Sequence, residues 1–254
     1  MCGMDVERIN TGIAGLDEML EGGFPKGRTV LVSGACGTGK TIFSVQFLYK
    51  GVVAHGEPGL FVTFDEAPGK LRQDVTRFGW DLHRLEEEGK IAIFDATSSK
   101  AGIASEEKHA TGIGAMDLEK LLGDVMKTAR ELGVRRMVID SIPAMAVQAG
   151  SPSEVRRAIL KIAYLSTLHD LTTLITTETD EQSATAEARK FSHYGIEEYV
   201  ADGVLLLSFL GSGKETNRTL YIRKMRATNH NTEINPLFIT EQGILVKRVE
   251  DVYG

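Results

Sequence analysis

The sequence predicts an α/β domain with a mostly parallel central sheet, helices on both faces and an antiparallel extension at its C-terminal end. Three observations predict it. Short apolar runs alternate with helix-period segments through the middle of the chain, the pattern of strands joined by helical crossovers. A glycine-rich stretch, GACGTGKT, separates the first strong strand pattern from the helix that follows it. Past Asp202 the helical period stops, and strand-like runs follow one another with Gly, Asn and Pro between them.

The elements follow in order. Residues 28–34 (RTVLVSG) read as a strand, and a helix carrying Phe43, Phe47 and Leu48 begins at Gly39. Residues 59–64 (GLFVTF) form a second strand, with 68–78 as its helix, and residues 91–95 (IAIFD) a third. Over 117–132 the apolar positions Leu118, Leu121, Leu122, Val125, Ala129 and Leu132 recur at three- and four-residue steps, one buried helical stripe. The strand RMVID (136–140) comes next. A second helix then opens on SPSEV, where Ser151 and Glu154 have capping-box spacing, and Val155, Ile159, Ile162 and Leu165 form its apolar face. The strand LTTLITT (171–177) follows. The runs GVLLLSFL, RTLYIRKM, PLFIT and GILVKRV supply the antiparallel extension. Two stretches, 97–114 and 181–192, are polar and aperiodic and read as loops.

A chain of 254 residues, 42% hydrophobic and 25% charged, suits one large domain over 1–254. A net charge of −6 argues against a generally basic nucleic-acid-binding face, though not against a local patch. The N-terminus lacks the apolar run of a signal peptide and the longest apolar stretches are strand-length, so no membrane association and a cytoplasmic setting are expected. Two cysteines make no disulfide framework, and neither these nor the six histidines fall at metal-ligand spacing.

GACGTGKT fits G-x-x-x-x-G-K-[ST] in strand–loop–helix context, the phosphate-binding loop. Gly34, Ala35, Cys36, Gly37, Thr38 and Gly39 would curl so that successive N–H groups point into one concavity, at the positive end of the following helix. Lys40 would neutralise the β- and γ-phosphates and the Thr41 hydroxyl would ligate Mg²⁺, which makes ATP with Mg²⁺ the expected ligand. Asp140, ending its strand, is expected in the Mg²⁺ shell; otherwise it caps the next turn. Asp65 and Glu66 lie at the carboxyl edge of the sheet. There they either orient and deprotonate the attacking water or merely cap the helix near Pro68. Thr176, Thr177 and Glu178 reach the same edge, where the hydroxyls would sense the γ-phosphate, unless the threonines only serve the strand. Strand alternation puts Tyr221, Arg223 and Met225 on one face and Ile222, Lys224 and Arg226 on the other. Lys224 and Arg226 suit either transition-state stabilisation or a solvated edge strand. Cys36 is either a redox-sensitive thiol or a tolerated small residue.

Several strings together resemble the KaiC family within the RecA-type ATPases: INTGIAGLDEMLEGGFPKG, SGACGTGKT, FVTFDEAP followed by RFGWDL, VIDS, TTE, YGIEEYVADGV, KMRATNH and FITEQGI. They run in family order from Ile9 to Ile244. The resemblance implies a RecA-like core and a homo-oligomeric ring, usually a hexamer, with ATP between neighbouring subunits. It implies that Asp65 and Glu66 are the catalytic pair, with Asp65 one methylene shorter than the family's usual Glu. It implies that Lys224, Arg226 and His230 act in trans on the neighbour's nucleotide, and that Thr176, Thr177 and Glu178 form the sensor strand. Glu198 and Tyr199 stand where some members carry a phosphorylated Ser-Thr pair, so the resemblance does not extend to autokinase activity. The expected function is a slow, ring-forming ATP hydrolase acting as a regulatory or signalling switch. A DNA-binding recombinase-like ATPase and a nucleotide-binding scaffold of very slow turnover are the alternatives.

Overall fold

Which strands lie beside the phosphate-loop strand decides what can reach the site. The computed structural model describes residues 6–98, 104–111, 118–147, 151–179, 197–210 and 217–253. The strands of its main sheet are β3 (Thr29–Gly34), β4 (Gly59–Thr63), β5 (Ile91–Asp95), β6 (His109–Ala110), β7 (Arg136–Asp140) and β8 (Thr172–Thr177), then β9 (Gly203–Leu210), β10 (Asn217–Met225), β11 (Ile234–Thr240) and β12 (Gly243–Val246). Among the described residues these ten strands lie in the order β12-β11-β10-β9-β3-β8-β7-β4-β5-β6. From β9 to β6 every pairing is parallel, and β9 through β12 pair antiparallel. The loop strand β3 therefore sits centrally, flanked by β8 and β9. A separate pair, β1 (Arg8–Ile9) with β2 (Phe24–Pro25), belongs to the N-terminal lead-in.

Both faces of the parallel strands are buried, as helices on either side require. Val30, Val32, Phe61, Val138 and Leu174 point to one core, shared with α1 (Lys40–His55), α2 (Pro68–Val75), α3 (Leu82–Glu87) and the lead-in residues Ile13, Leu16 and Leu20. Leu31, Leu60, Val62, Met137, Ile139 and Ile175 point to the other, shared with α4 (Leu118–Glu131), α5 (Ile142–Ala146) and α6 (Pro152–Leu168). The short helices α7 (Glu197–Val200) and α8 (Val249–Tyr253) complete the chain. No described helix is long and apolar enough to cross a membrane.

Local chemistry explains the element ends. Ser151 caps α6 by accepting the Glu154 N–H at 3.3 Å, with Pro152 in the first turn. The Asp81 carboxylate caps α3 by accepting the Arg84 N–H at 3.0 Å. The expected helix over 68–78 is shorter: after Val75 it tightens into a 3₁₀ turn, Thr76–Phe78, which Gly79 ends in the left-handed conformation. The expected loop 97–114 contains β6, a two-residue strand parallel to β5, and 181–192 lies outside the described residues.

One sequence expectation fails outright. Alternation along β10 breaks at Arg223, where a bulge shifts the register between Ile222 and Lys224. Leu220, Ile222 and Met225 consequently share one core face, and Lys224 moves to the Tyr221 side. A single extra residue in an antiparallel pair flips every later side chain.

Candidate functional site

The carboxyl ends of β3, β4, β5, β7 and β8 open on a cleft of about 1000 Å³. Gly37, Gly39, Lys40, Thr41, Asp65, Glu66, Asp140 and Glu178 all line it. The glycines at the loop's ends are required by geometry. Gly39 precedes α1 at φ 105°, which L side chains rarely adopt, and a Cβ on Gly34 would lie 2.3 Å from the Leu207 carbonyl oxygen of β9. Thr38 Oγ1 donates to the Ala35 carbonyl at 2.8 Å, and Arg218 Nε donates to the Gly37 carbonyl at 3.2 Å, clasping the loop from β10. The loop therefore has a fixed shape, and the start of α1 points its free N–H groups into the cleft.

Lys40 Nζ donates to the Gly34 and Ala35 carbonyls at 2.7 and 2.9 Å. Burial pulls its pKa down, while the charges of Glu178 and Asp140 oppose that shift. Asp140 accepts from the Thr41 hydroxyl at 3.0 Å and, through its other oxygen, from the Thr176 hydroxyl. Burial pushes the Asp140 carboxyl up, against the hydroxyl donors Thr176 and Thr41 and the Lys40 charge. Its carboxylate thus faces the loop, and Ser141, the residue that opens α5, makes no side-chain cap either. Thr41 and Asp140 present one hydroxyl and one carboxylate oxygen side by side. This sparse hard-oxygen set suits Mg²⁺, which keeps several waters and takes phosphate oxygens as further ligands. Among the described residues no cluster of three His, Cys, Asp or Glu offers an all-protein metal cage.

The two readings of Asp65 and Glu66 separate here. Thr63 holds their turn by donating to the Glu66 carbonyl at 2.6 Å and accepting the Glu66 N–H at 3.3 Å. The first residue flanking α2 is Ala67, and no side chain caps that helix. Both carboxylates instead line the cleft. Burial pushes Glu66 up, helped by the negative charges of Asp74 and Asp140.

The threonines of β8 part ways. Thr176 bonds Asp140, whereas Thr177 turns to the opposite face and donates to Glu197 at 3.3 Å. Cys36 is exposed on the cleft wall. Sequence reasoning missed Lys70, Arg77 and Arg218, three cations that also line the cleft. A signal existed for two of them, because Lys70 and Arg77 stand seven residues apart, two turns of the helix expected over 68–78, although Arg77 lies in the 3₁₀ turn that follows α2. Arg218 needed the strand order, which carries the start of β10 to the loop.

Lys224, Arg226 and His230 are not among the cleft residues. Leu220 of β10 is level with Leu207 and Gly34, while Met225 is level with Gly203 and Val30. The later residues of β10 and the turn after it therefore stand at the amino edge of the sheet, on the order of 15 Å from the loop of the same chain. There Lys224 Nζ donates to the Ala201 carbonyl at 2.7 Å, and Arg226 pairs with Asp202 at 3.2 Å. Burial and the adjacent Arg226 charge pull the Lys224 pKa down.

The phosphate loop on β3 and the strand-end aspartate on β7 stand two places apart, with β8 between them, and comparison with known proteins identifies the family. The family model described as "ATPase: KaiC" matches residues 9–251. The chain belongs to the KaiC ATPase family. The circadian clock oscillator protein KaiC of Synechococcus elongatus is 38% identical over 239 residues, covering 94% of this chain and 44% of that protein. KaiC of Nostoc sp. is 38% identical over 242 residues, covering 95% and 44%. This chain thus spans less than half the length of these curated KaiC relatives. The crystal structure of a KaiC-like protein from Pyrococcus horikoshii superposes with a TM-score of 0.80 at 38% identity, covering 95% of this chain and 99% of that one.

Proposed function

We propose that this chain is a Mg²⁺-dependent ATP hydrolase that works as a ring of copies, a hexamer, with ATP held between neighbours. The observation that carries the reading is the convergence of Lys40, the Thr41–Asp140 pair and the Asp65–Glu66 carboxylates on one cleft. The loop N–H groups and Lys40 bind and orient the phosphates. Thr41 and Asp140 hold Mg²⁺, which when bound neutralises charge developing on the phosphate oxygens. Asp65 takes the proton of the attacking water, and its short side chain makes turnover slow; Glu66 holds the water's position. Thr176 keeps the Asp140 carboxylate aimed at Thr41.

Lys224, Arg226 and His230 of a neighbouring copy complete the site by steadying transition-state charge. Their distance from the chain's own loop supports action in trans, as does the long extension that carries them to the opposite edge. Turnover then depends on assembly, which suits a cytoplasmic regulatory or signalling switch. With Glu198 and Tyr199 in place of a Ser-Thr pair, autokinase activity forms no part of this reading. The acidic balance of the chain likewise leaves DNA out of it.

Two measurements test the reading. Purified protein hydrolyses ATP with Mg²⁺ and loses that activity with EDTA or with Lys40→Ala. Its solution mass rises to that of a ring on addition of ATP or of a non-hydrolysable analogue. Hydrolysis no greater than in the Lys40→Ala protein refutes the enzymatic part, and a monomer at saturating ATP refutes the ring.

A further inference from the structure

The turn after β10, residues 226–230, has little regular structure of its own, yet it carries Arg226 and His230. Its shape comes from the other end of the sequence. Arg8, on β1, commits both terminal nitrogens of its guanidinium to this junction. One terminal nitrogen donates to the Thr228 hydroxyl at 2.9 Å and to the Gly23 carbonyl at 3.2 Å. The other donates to the Ala227 carbonyl and to Glu21 Oε2, each at 2.9 Å. Glu21 Oε2 also accepts the Asn229 N–H at 3.2 Å, so the pair grips the turn from both sides. Two residues on, the Asn231 N–H donates to the Met19 carbonyl at 3.0 Å.

The grip falls where the backbone needs it. Ala227 has φ 56°, in the left-handed region that a non-glycine residue occupies only when its surroundings enforce it. Arg8 donates directly to the carbonyl of that residue. The Arg8 side chain is only 14% exposed, and its bonds to Thr228 and Gly23 are partly buried, while those to Ala227 and Glu21 lie at the surface.

The geometry points to Arg8, with Glu21, as a positioning residue for ATP turnover. The pair fixes the turn that presents Arg226 and His230 to the nucleotide of the adjacent copy. This inference rests on the proposed trans arrangement and adds to it a lead-in element, β1, that lies outside the phosphate cleft. Loss of the clasp lets the 227 peptide relax out of the left-handed region, and Arg226 and His230 then miss their target. An ångström-scale misplacement of a charge-stabilising group costs roughly 10- to 100-fold in rate.

The test uses the full chain with Arg8→Ala, Arg8→Lys and Glu21→Gln, each checked for folding by thermal melting. Arg8→Ala lowers kcat roughly 10- to 100-fold while ATP affinity stays within about threefold, because its own phosphate loop is intact. Arg8→Lys and Glu21→Gln fall between it and the parent. Where Arg8→Ala fails to fold, those two milder variants carry the test. The deciding readout is mixing with Lys40→Ala protein, whose loop is dead but whose turn is intact. Co-assembled rings recover activity above the mean of the two parents, an outcome that a general loss of stability does not produce. Turnover at the parent level in Arg8→Ala overturns the proposal. So does failure of mixing to restore it while Arg226→Ala mixed with Lys40→Ala recovers. If that Arg226→Ala mixture also fails in shared rings, the trans reading itself falls and this inference with it.

Discussion

The two edges of the central sheet hold their charges differently. At the carboxyl edge, Lys40, Lys70, Arg77, Asp65 and Glu66 all border open cleft. At the amino edge, Arg28 and Arg226 share Asp202, Lys224 is held by backbone carbonyls, Arg8 clasps Glu21, and Arg136 lies buried. The first edge is shaped to receive a ligand. The second is shaped to hold a surface in a defined form, with Arg226 and His230 at its rim. In the proposed ring one edge meets the other, so a site split between copies is kept inactive in the single chain by distance alone.

Substitutions at the two edges break or sharpen this contrast. Lys40→Ala has the largest expected effect: Mg²⁺-dependent phosphate release falls to background, because the loop loses its charge on the β- and γ-phosphates. Arg226→Ala comes next, with turnover lowered about 10³-fold while ATP binding, measured by equilibrium titration, persists. A parallel loss of binding would place Arg226 in ground-state recognition and blur the two edges. Asp65→Asn lowers kcat about 10²-fold, the size of a general-base contribution, with Glu66→Gln milder. The reverse order would make Glu66 the base.

Arg136→Met has the smallest expected effect on turnover and acts on stability instead. Arg136 is fully buried, donates to the Phe47 carbonyl at 2.9 Å and to Glu57 at 2.6 Å, and lies 4.7 Å from the Phe47 ring centre. Its removal costs about 3 kcal/mol of unfolding free energy, read from denaturant melts, with kcat unchanged once the protein is folded. A selective loss of activity would mean that the amino edge steers the loop through α1.

Much of this was legible in the residues themselves. Short apolar runs placed β5 and β7 with their observed ends, because both faces of these strands are buried, and the 3.6-residue period placed α4 within a residue at each end and the start of α6, because each helix buries a regular stripe. GACGTGKT located the cleft, since its glycines and lysine have few other uses in that spacing. Where local pattern failed, a longer-range cause prevailed. The bulge at Arg223 is set by how β10 lies on β9, so simple alternation misassigned Met225 and Lys224. Residue spacing left Asp65 and Glu66 open between the cleft and a cap for α2; the start of α2 carries no side-chain cap, and both residues line the cleft. Arg218 meets Gly37 across 181 residues, and Arg8 meets Ala227 and Thr228 across 219 and 220, contacts that no local period encodes.

The central claim is that each site is built from the carboxyl edge of one copy and the amino edge of another. Its most direct test is the ATPase rate of Arg226→Ala and Lys40→Ala proteins mixed under conditions where shared rings are verified by native mass measurement. The account predicts a rate well above the mean of the two separate proteins, since the intact loop of one meets the intact turn of the other. A rate equal to that mean, in rings shown to contain both proteins, would contradict it.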